Sequence, residues 1–119
     1  MQALIVEPSP TYQRILSRML ESYDFQLTFV DSATAGFRAL TQQQFQMICV
    51  AMYLPDLTGI DFCQHVRQRN SEVPIFIVTS ETDPEMLSSA LTAGASDIIR
   101  KDDLPRLEES LHALIPLGP

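Results

Sequence analysis

Three side chains able to do chemistry stand at the ends of apolar runs in this 119-residue chain. They are Glu7 after Ala3-Leu4-Ile5-Val6, Thr79 after Val73-Pro74-Ile75-Phe76-Ile77-Val78, and Lys101 after Ser96-Asp97-Ile98-Ile99-Arg100. A carboxylate accepts, an ammonium donates and a hydroxyl does both, so the set could handle a cation or an anion if the fold brought it together. A fourth run, Met47-Ile48-Cys49-Val50, ends in Ala51, whose methyl group offers no chemistry. Pro8, next to Glu7, has no ligating side chain either.

Other candidates have ordinary structural readings. Ser9-Pro10-Thr11-Tyr12 follows a strand as a phosphate-binding loop would, but it lacks a glycine to let the backbone close on a phosphate and reads as a helix cap. His65 and His112 fall on separate helices with no Cys or carboxylate at ligand spacing, which makes them solvated helix histidines. Cys49, in a strand, and Cys63, on a helix face, read as buried small hydrophobes. Asp56 reads as a turn residue beyond Pro55, and it is also the carboxylate nearest to Ala51 in the sequence.

The elements that must position these residues alternate. Ala3-Leu4-Ile5-Val6 is continuous in apolar character, as a central strand covered on both faces should be. Ser9 then caps a first helix with Pro10 at its first position and Tyr12, Ile15, Leu16, Met19 and Leu20 at helical spacing through Tyr23. Gln26-Leu27-Thr28-Phe29-Val30 alternates like an edge strand, and Ser32 or Asp31 caps a second helix carrying Ala35, Ala39 and Leu40. The strand ending at Ala51 leads to a third helix from about Thr58, with Ile60, Phe62, Cys63 and Val66 apolar.

The run from Val73 to Val78 is a fourth strand, followed by the hydroxyl pair Thr79-Ser80. Asp83-Pro84 opens a fourth helix with Leu87, Ala90 and Leu91 inward and Gly94 as its stop. Ser96 to Arg100 is a fifth strand, and a last helix from about Asp103 carries Leu104, Leu107, Leu111 and Leu114 on one stripe. Strands and helices alternating at such short spacing require crossover connections. The expected fold is therefore α/β, a doubly wound five-stranded parallel sheet with helices on both faces.

Composition bounds the function. The length fits one domain, 1–119, and the 45% hydrophobic content is interrupted by no linker, repeat or low-complexity tract. A net charge of −7, with seven Arg and one Lys scattered among fifteen carboxylates, argues against nucleic-acid binding. The longest apolar runs fall far below the ~18 residues of a membrane span, and the N-terminus has no basic targeting region, so a cytoplasmic protein is expected.

Several spaced motifs together resemble response-regulator receiver domains of two-component signalling, the CheY-like family. Pro55 and Gly59 keep the family's spacing after its phosphoacceptor, which Ala51 replaces. Pro74-Ile75-Phe76-Ile77-Val78-Thr79-Ser80 resembles the family's fourth strand, and Gly94-Ala95-Ser96-Asp97-Ile98-Ile99-Arg100-Lys101 its Gly-Ala ending with the conserved Lys. The resemblance implies the flavodoxin-like strand order 2-1-3-4-5, which would gather Glu7, Ala51, Thr79 and Lys101 at the carboxyl ends of neighbouring strands.

In that family an acidic pair binds Mg²⁺, an Asp takes the phosphoryl group, and the Thr/Ser and Lys bind its oxygens. Here Glu7 matches the first acid and Pro8 replaces the second. Ala51 removes a ligand that is also the nucleophile, and Ile98 replaces the aromatic that reports phosphorylation. With one carboxylate and the Tyr53 carbonyl left, no functional Mg²⁺ site or other cofactor is expected. Lys101, the sole lysine, is expected to pair with Glu7 at a partly exposed site, so that Lys101→Ala costs at most about 1 kcal/mol.

These departures imply a non-enzymatic pseudo-receiver that works by protein contact. The face of the fourth helix, fifth strand and fifth helix would serve for a homodimer, a partner or a downstream output domain, DNA-binding or diguanylate cyclase. The competing reading is a phosphorylatable receiver, with Asp56 as substitute acceptor or with Ala51 standing where the natural chain has Asp. The ending Leu114-Ile115-Pro116-Leu117-Gly118-Pro119 breaks the last helix and suits either a complete single-domain protein or a receiver excised from a longer response regulator.

Overall fold

The computed structural model describes residues 1–69 and 72–115. Five strands, β1 (Gln2–Val6), β2 (Gln26–Val30), β3 (Met47–Ala51), β4 (Ile75–Thr79) and β5 (Asp97–Arg100), alternate with five helices. The helices are α1 (Pro10–Leu20), α2 (Ala33–Gln42), α3 (Gly59–Arg69), α4 (Pro84–Thr92) and α5 (Pro105–Leu114). All strand pairs are parallel and the order is β2-β1-β3-β4-β5, the doubly wound arrangement expected.

Successive residues of a strand face opposite sides of the sheet, so each central strand feeds two cores. Leu4, Val6, Ile48, Val50, Ile75 and Ile77 pack with Phe62, Cys63 and Val66 of α3 and with Ala39 and Ala90 of α2 and α4. Ala3, Ile5, Met47, Cys49, Phe76 and Val78 pack with Leu16 and Leu20 of α1 and Leu107 and Leu111 of α5. β3 and β4 are buried from end to end, which accounts for their unbroken apolar sequences. Phe62 and Phe76 are fully buried, and truncation of either to Ala would cost about 3–5 kcal/mol.

Helix starts follow the cap chemistry read in the sequence. Ser9, Ser32 and Asp83 accept backbone N–H groups of α1, α2 and α4, and Pro10 and Pro84 occupy the first helical positions. α1 stops at Leu20, three residues earlier than its periodicity indicated, because Tyr23 N–H turns back to the Leu20 carbonyl. β4 begins at Ile75 instead of Val73: the Val73 carbonyl is taken by the Arg67 guanidinium at 2.6 Å. Leu91 and Leu114, expected inward, are 51% and 46% exposed, because α4 and α5 present narrower apolar stripes to the sheet. The expected break beyond Ile115 lies outside the described residues.

Gly94 adopts φ +114°, which closes α4 and turns the chain into β5. Arg67 lies against it, donating Nε to the Gly94 carbonyl at 2.8 Å and reaching Ser96 Oγ at 3.3 Å. One side chain of α3 thereby ties the entry to β4 to the entry to β5, a role with no signature in the sequence.

Candidate functional site

Glu7, Ala51, Thr79 and Lys101 do meet at the carboxyl edge of four adjacent strands. Glu7 leaves β1 buried, with a side chain 3% exposed. Its Oε2 accepts from Ser9 N–H at 3.0 Å, which turns the carboxylate inward. Its Oε1 accepts no aligned hydrogen bond, but the Lys101 ammonium stands 3.0 Å away, itself only 15% exposed. That ammonium also sits 4.0 Å from the centroid of the Tyr12 ring. The pair expected to be partly exposed is therefore buried, clasped between a carboxylate and an aromatic face of α1.

Ala51 closes β3 at 5% exposure, beside Val78 of β4. Gly59 approaches its backbone so closely that a Cβ there would lie 2.3 Å from the Ala51 carbonyl oxygen, and the Gly59 N–H donates to the Met52 carbonyl at 2.6 Å. The glycine is thus required by the seating of α3 on the end of β3. Thr79 is 3% exposed, and its hydroxyl accepts the Glu81 N–H at 3.0 Å. Its carbonyl accepts the Lys101 N–H at 2.8 Å, which locks the ends of β4 and β5 together.

Two loop contacts escaped sequence reasoning. Tyr53, 54% exposed, donates its hydroxyl to Glu81 and so links the loops after β3 and β4. That bond raises the Tyr53 hydroxyl above its ordinary value and lowers the Glu81 carboxyl. Asp56 is more than a turn residue: Oδ1 accepts from Ala33 N–H at 2.9 Å, and Oδ2 from Thr34 N–H at 2.9 Å and Thr34 Oγ1 at 2.7 Å. It caps α2 from across the fold, and these bonds, led by the Thr34 hydroxyl, bring its carboxyl down to about 2. Its place beyond Pro55 hinted at a turn; its partner Thr34, 22 residues away, could not be read.

Ile98 is half-buried against the α2/α3/α4 core. Its neighbour Asp97 binds Arg106 at 3.0 Å and accepts from Ser110, both on α5. Burial pushes the Asp97 carboxyl up, but the bonds from Ser110, Ile98 N–H and Arg106 outweigh it and leave the group below its ordinary value. The Cys49 thiol is pushed up to about 12 by burial, and Cys63 is likewise buried and free. His65 and His112 are exposed, resting beside Phe37 and Tyr23. Among the described residues no cluster of three His, Cys, Asp or Glu is placed to hold a metal, and no helix is long and apolar enough to cross a membrane.

A five-stranded doubly wound sheet with this strand-end constellation defines a receiver-type signalling domain. The chain belongs to the response regulator receiver domain family, which it matches over residues 3–112. It is 29% identical over 117 residues to the response regulator protein PilR of Pseudomonas aeruginosa, covering 98% of this chain and 26% of that protein. It is 29% identical over 111 residues to the two-component response regulator ORR3 of Oryza sativa, covering 87% of this chain and 85% of ORR3. The chain thus spans about a quarter of the first relative and most of the second.

Among solved structures, the receiver domain of sensor histidine kinase PA1611 from Pseudomonas aeruginosa superposes with a TM-score of 0.85 at 26% identity, covering 96% of each chain. That structure has a magnesium ion coordinated in its active site cleft. The receiver domain of an HD domain-containing protein from Pseudomonas fluorescens Pf-5 reaches a TM-score of 0.89 at 19% identity, over 96% of this chain and 93% of that one, a likeness of fold.

Proposed function

We propose that this receiver domain does not accept a phosphoryl group and is not an enzyme, but relays signals through protein contact. The observation that carries the reading is the state of Lys101. Its ammonium is engaged by Glu7 at 3.0 Å and by the Tyr12 ring at 4.0 Å, while the strand end beside it offers the methyl of Ala51. A methyl group cannot attack phosphorus.

The residues at the strand ends do not fit a magnesium ion. Pro8 and Ala51 contribute no side-chain oxygen, and the one carboxylate, Glu7, already carries the Lys101 ammonium on Oε1. Mg²⁺ demands near-octahedral oxygen ligation and gives up water reluctantly, so a single occupied carboxylate would not hold it. Asp56 is a poor substitute acceptor, since three hydrogen bonds to the start of α2 occupy both of its oxygens. We assign output to the α4–β5–α5 face, where Leu91 of α4 is exposed, as a surface for a second copy, a partner or an output domain.

The test is incubation with acetyl phosphate and Mg²⁺ followed by intact-mass measurement. The mass should not change. An adduct of one phosphate, wherever it maps, would defeat the proposal.

A further inference from the structure

The carboxyl edge of the sheet is not the sole concavity. At the opposite edge, where β3 and β4 begin, α2 and α3 diverge around a cavity of about 320 Å³. Phe45, Val66 and Val73 form its buried floor, with Phe37 and Leu40 half-buried along one wall. Phe37 is fixed by stacking on Phe62 at 4.8 Å and by the edge of His65 at 5.4 Å, so the wall is a rigid aromatic surface. The volume lies within the range of small-molecule sites, which starts at about 300 Å³.

The rim is basic. In a protein with fifteen carboxylates against eight basic residues, no carboxylate lines this cavity among the described residues. Exposed Arg69, His65 and Gln44 stand on its edge instead, and Arg69 makes no ion pair among the described residues. An apolar, aromatic-walled floor under an uncommitted guanidinium matches a ligand with a flat apolar body and one carboxylate.

We propose that this cavity is a binding site for a small aromatic carboxylate, its ring against Phe37 and Phe45 and its anion at Arg69. The site is separated from Ala51 by the length of β3, about 15 Å at 3.3 Å per residue, so the assignment stands whether or not the phosphoacceptor position is silent.

The probe is 2-naphthoate, titrated into ¹⁵N-labelled protein, with the uncharged 2-naphthalenemethanol as comparator. Saturable amide shifts confined to Gln44, Phe45, Val66, Arg69 and their neighbours are expected. The acid should bind about two- to fivefold more tightly than the alcohol, the size of one exposed charge contact. Arg69→Gln, at an exposed helix end, should leave the remaining spectrum intact and reduce the acid to the affinity of the alcohol. Absence of saturation, shifts centred on another face, equal affinities for acid and alcohol, or indifference of the acid to Arg69→Gln would each overturn the assignment.

Discussion

The Lys101 ammonium and Oε1 of Glu7 stand 3.0 Å apart with both side chains largely withdrawn from water, at 15% and 3% exposure. At that depth the pair is held by a low-dielectric environment, and its value depends on both partners being present. Removing one leaves a buried charge unanswered, a much larger loss than the disappearance of a surface contact. The pair is thereby part of the interior, joined to α1 through Tyr12.

Lys101→Ala should accordingly destabilise the domain by about 3 kcal/mol or more in urea unfolding. The double variant Glu7→Gln with Lys101→Met should recover much of that loss, since no charge is then left buried. A loss below about 1 kcal/mol for Lys101→Ala would mean that the pair is solvated after all.

Gly59→Ala should be far more damaging than Gly36→Ala. The first would press a methyl to 2.3 Å from the Ala51 carbonyl oxygen, which is backbone and cannot turn aside. The second meets the Phe62 ring at 2.8 Å and Val6 at 3.3 Å, side-chain atoms rather than backbone. We expect about 3 kcal/mol for Gly59→Ala and about 1 kcal/mol for Gly36→Ala, read as unfolding midpoints. Equal effects would contradict the seating of α3 on β3.

Asp56 ties stability to pH in the acid range. Its carboxyl lies near 2 in the fold against an ordinary value of 3.8, so the folded state favours the ionised form. That contribution is present in full above pH 3.8 and is lost as pH falls through about 2. The melting-temperature gap between the unsubstituted chain and Asp56→Asn should hold constant near neutrality and narrow over that window. A gap that does not change with pH would show that the carboxylate is not the cap of α2.

Ala51→Asp alone should not rebuild a switch. Pro8 still leaves the metal position short of a carboxylate, Lys101 is still bound by Glu7, and Ile98 still stands in the core where a reporting aromatic would be needed. Sedimentation of Ala51→Asp with and without beryllofluoride and Mg²⁺ should show the same self-association, because a ligand without differential affinity for two states shifts neither. A beryllofluoride-dependent change would make a lost or replaced Asp the better account of position 51.

Much of this protein was legible from periodicity and caps. Unbroken apolar runs at β1, β3 and β4 mean strands covered on two faces, and Ser9-Pro10 and Asp83-Pro84 mark helix starts by local hydrogen bonding, which depends on neighbours a few residues away. The family was legible for a related reason: the spacing from Ala51 to Gly59 and from Gly94 to Lys101 records backbone constraints that do not depend on the side chain at position 51. Contacts between residues distant in the chain were decided by the tertiary structure alone. Asp56 capping α2, Arg67 joining two strand entries, Tyr53 meeting Glu81 and the cavity beside Arg69 all depend on the angles at which loops and helices leave the sheet. The depth of the Glu7–Lys101 pair belongs with them, because burial is set by what α1 lays over the strand ends, and no single segment carries that information.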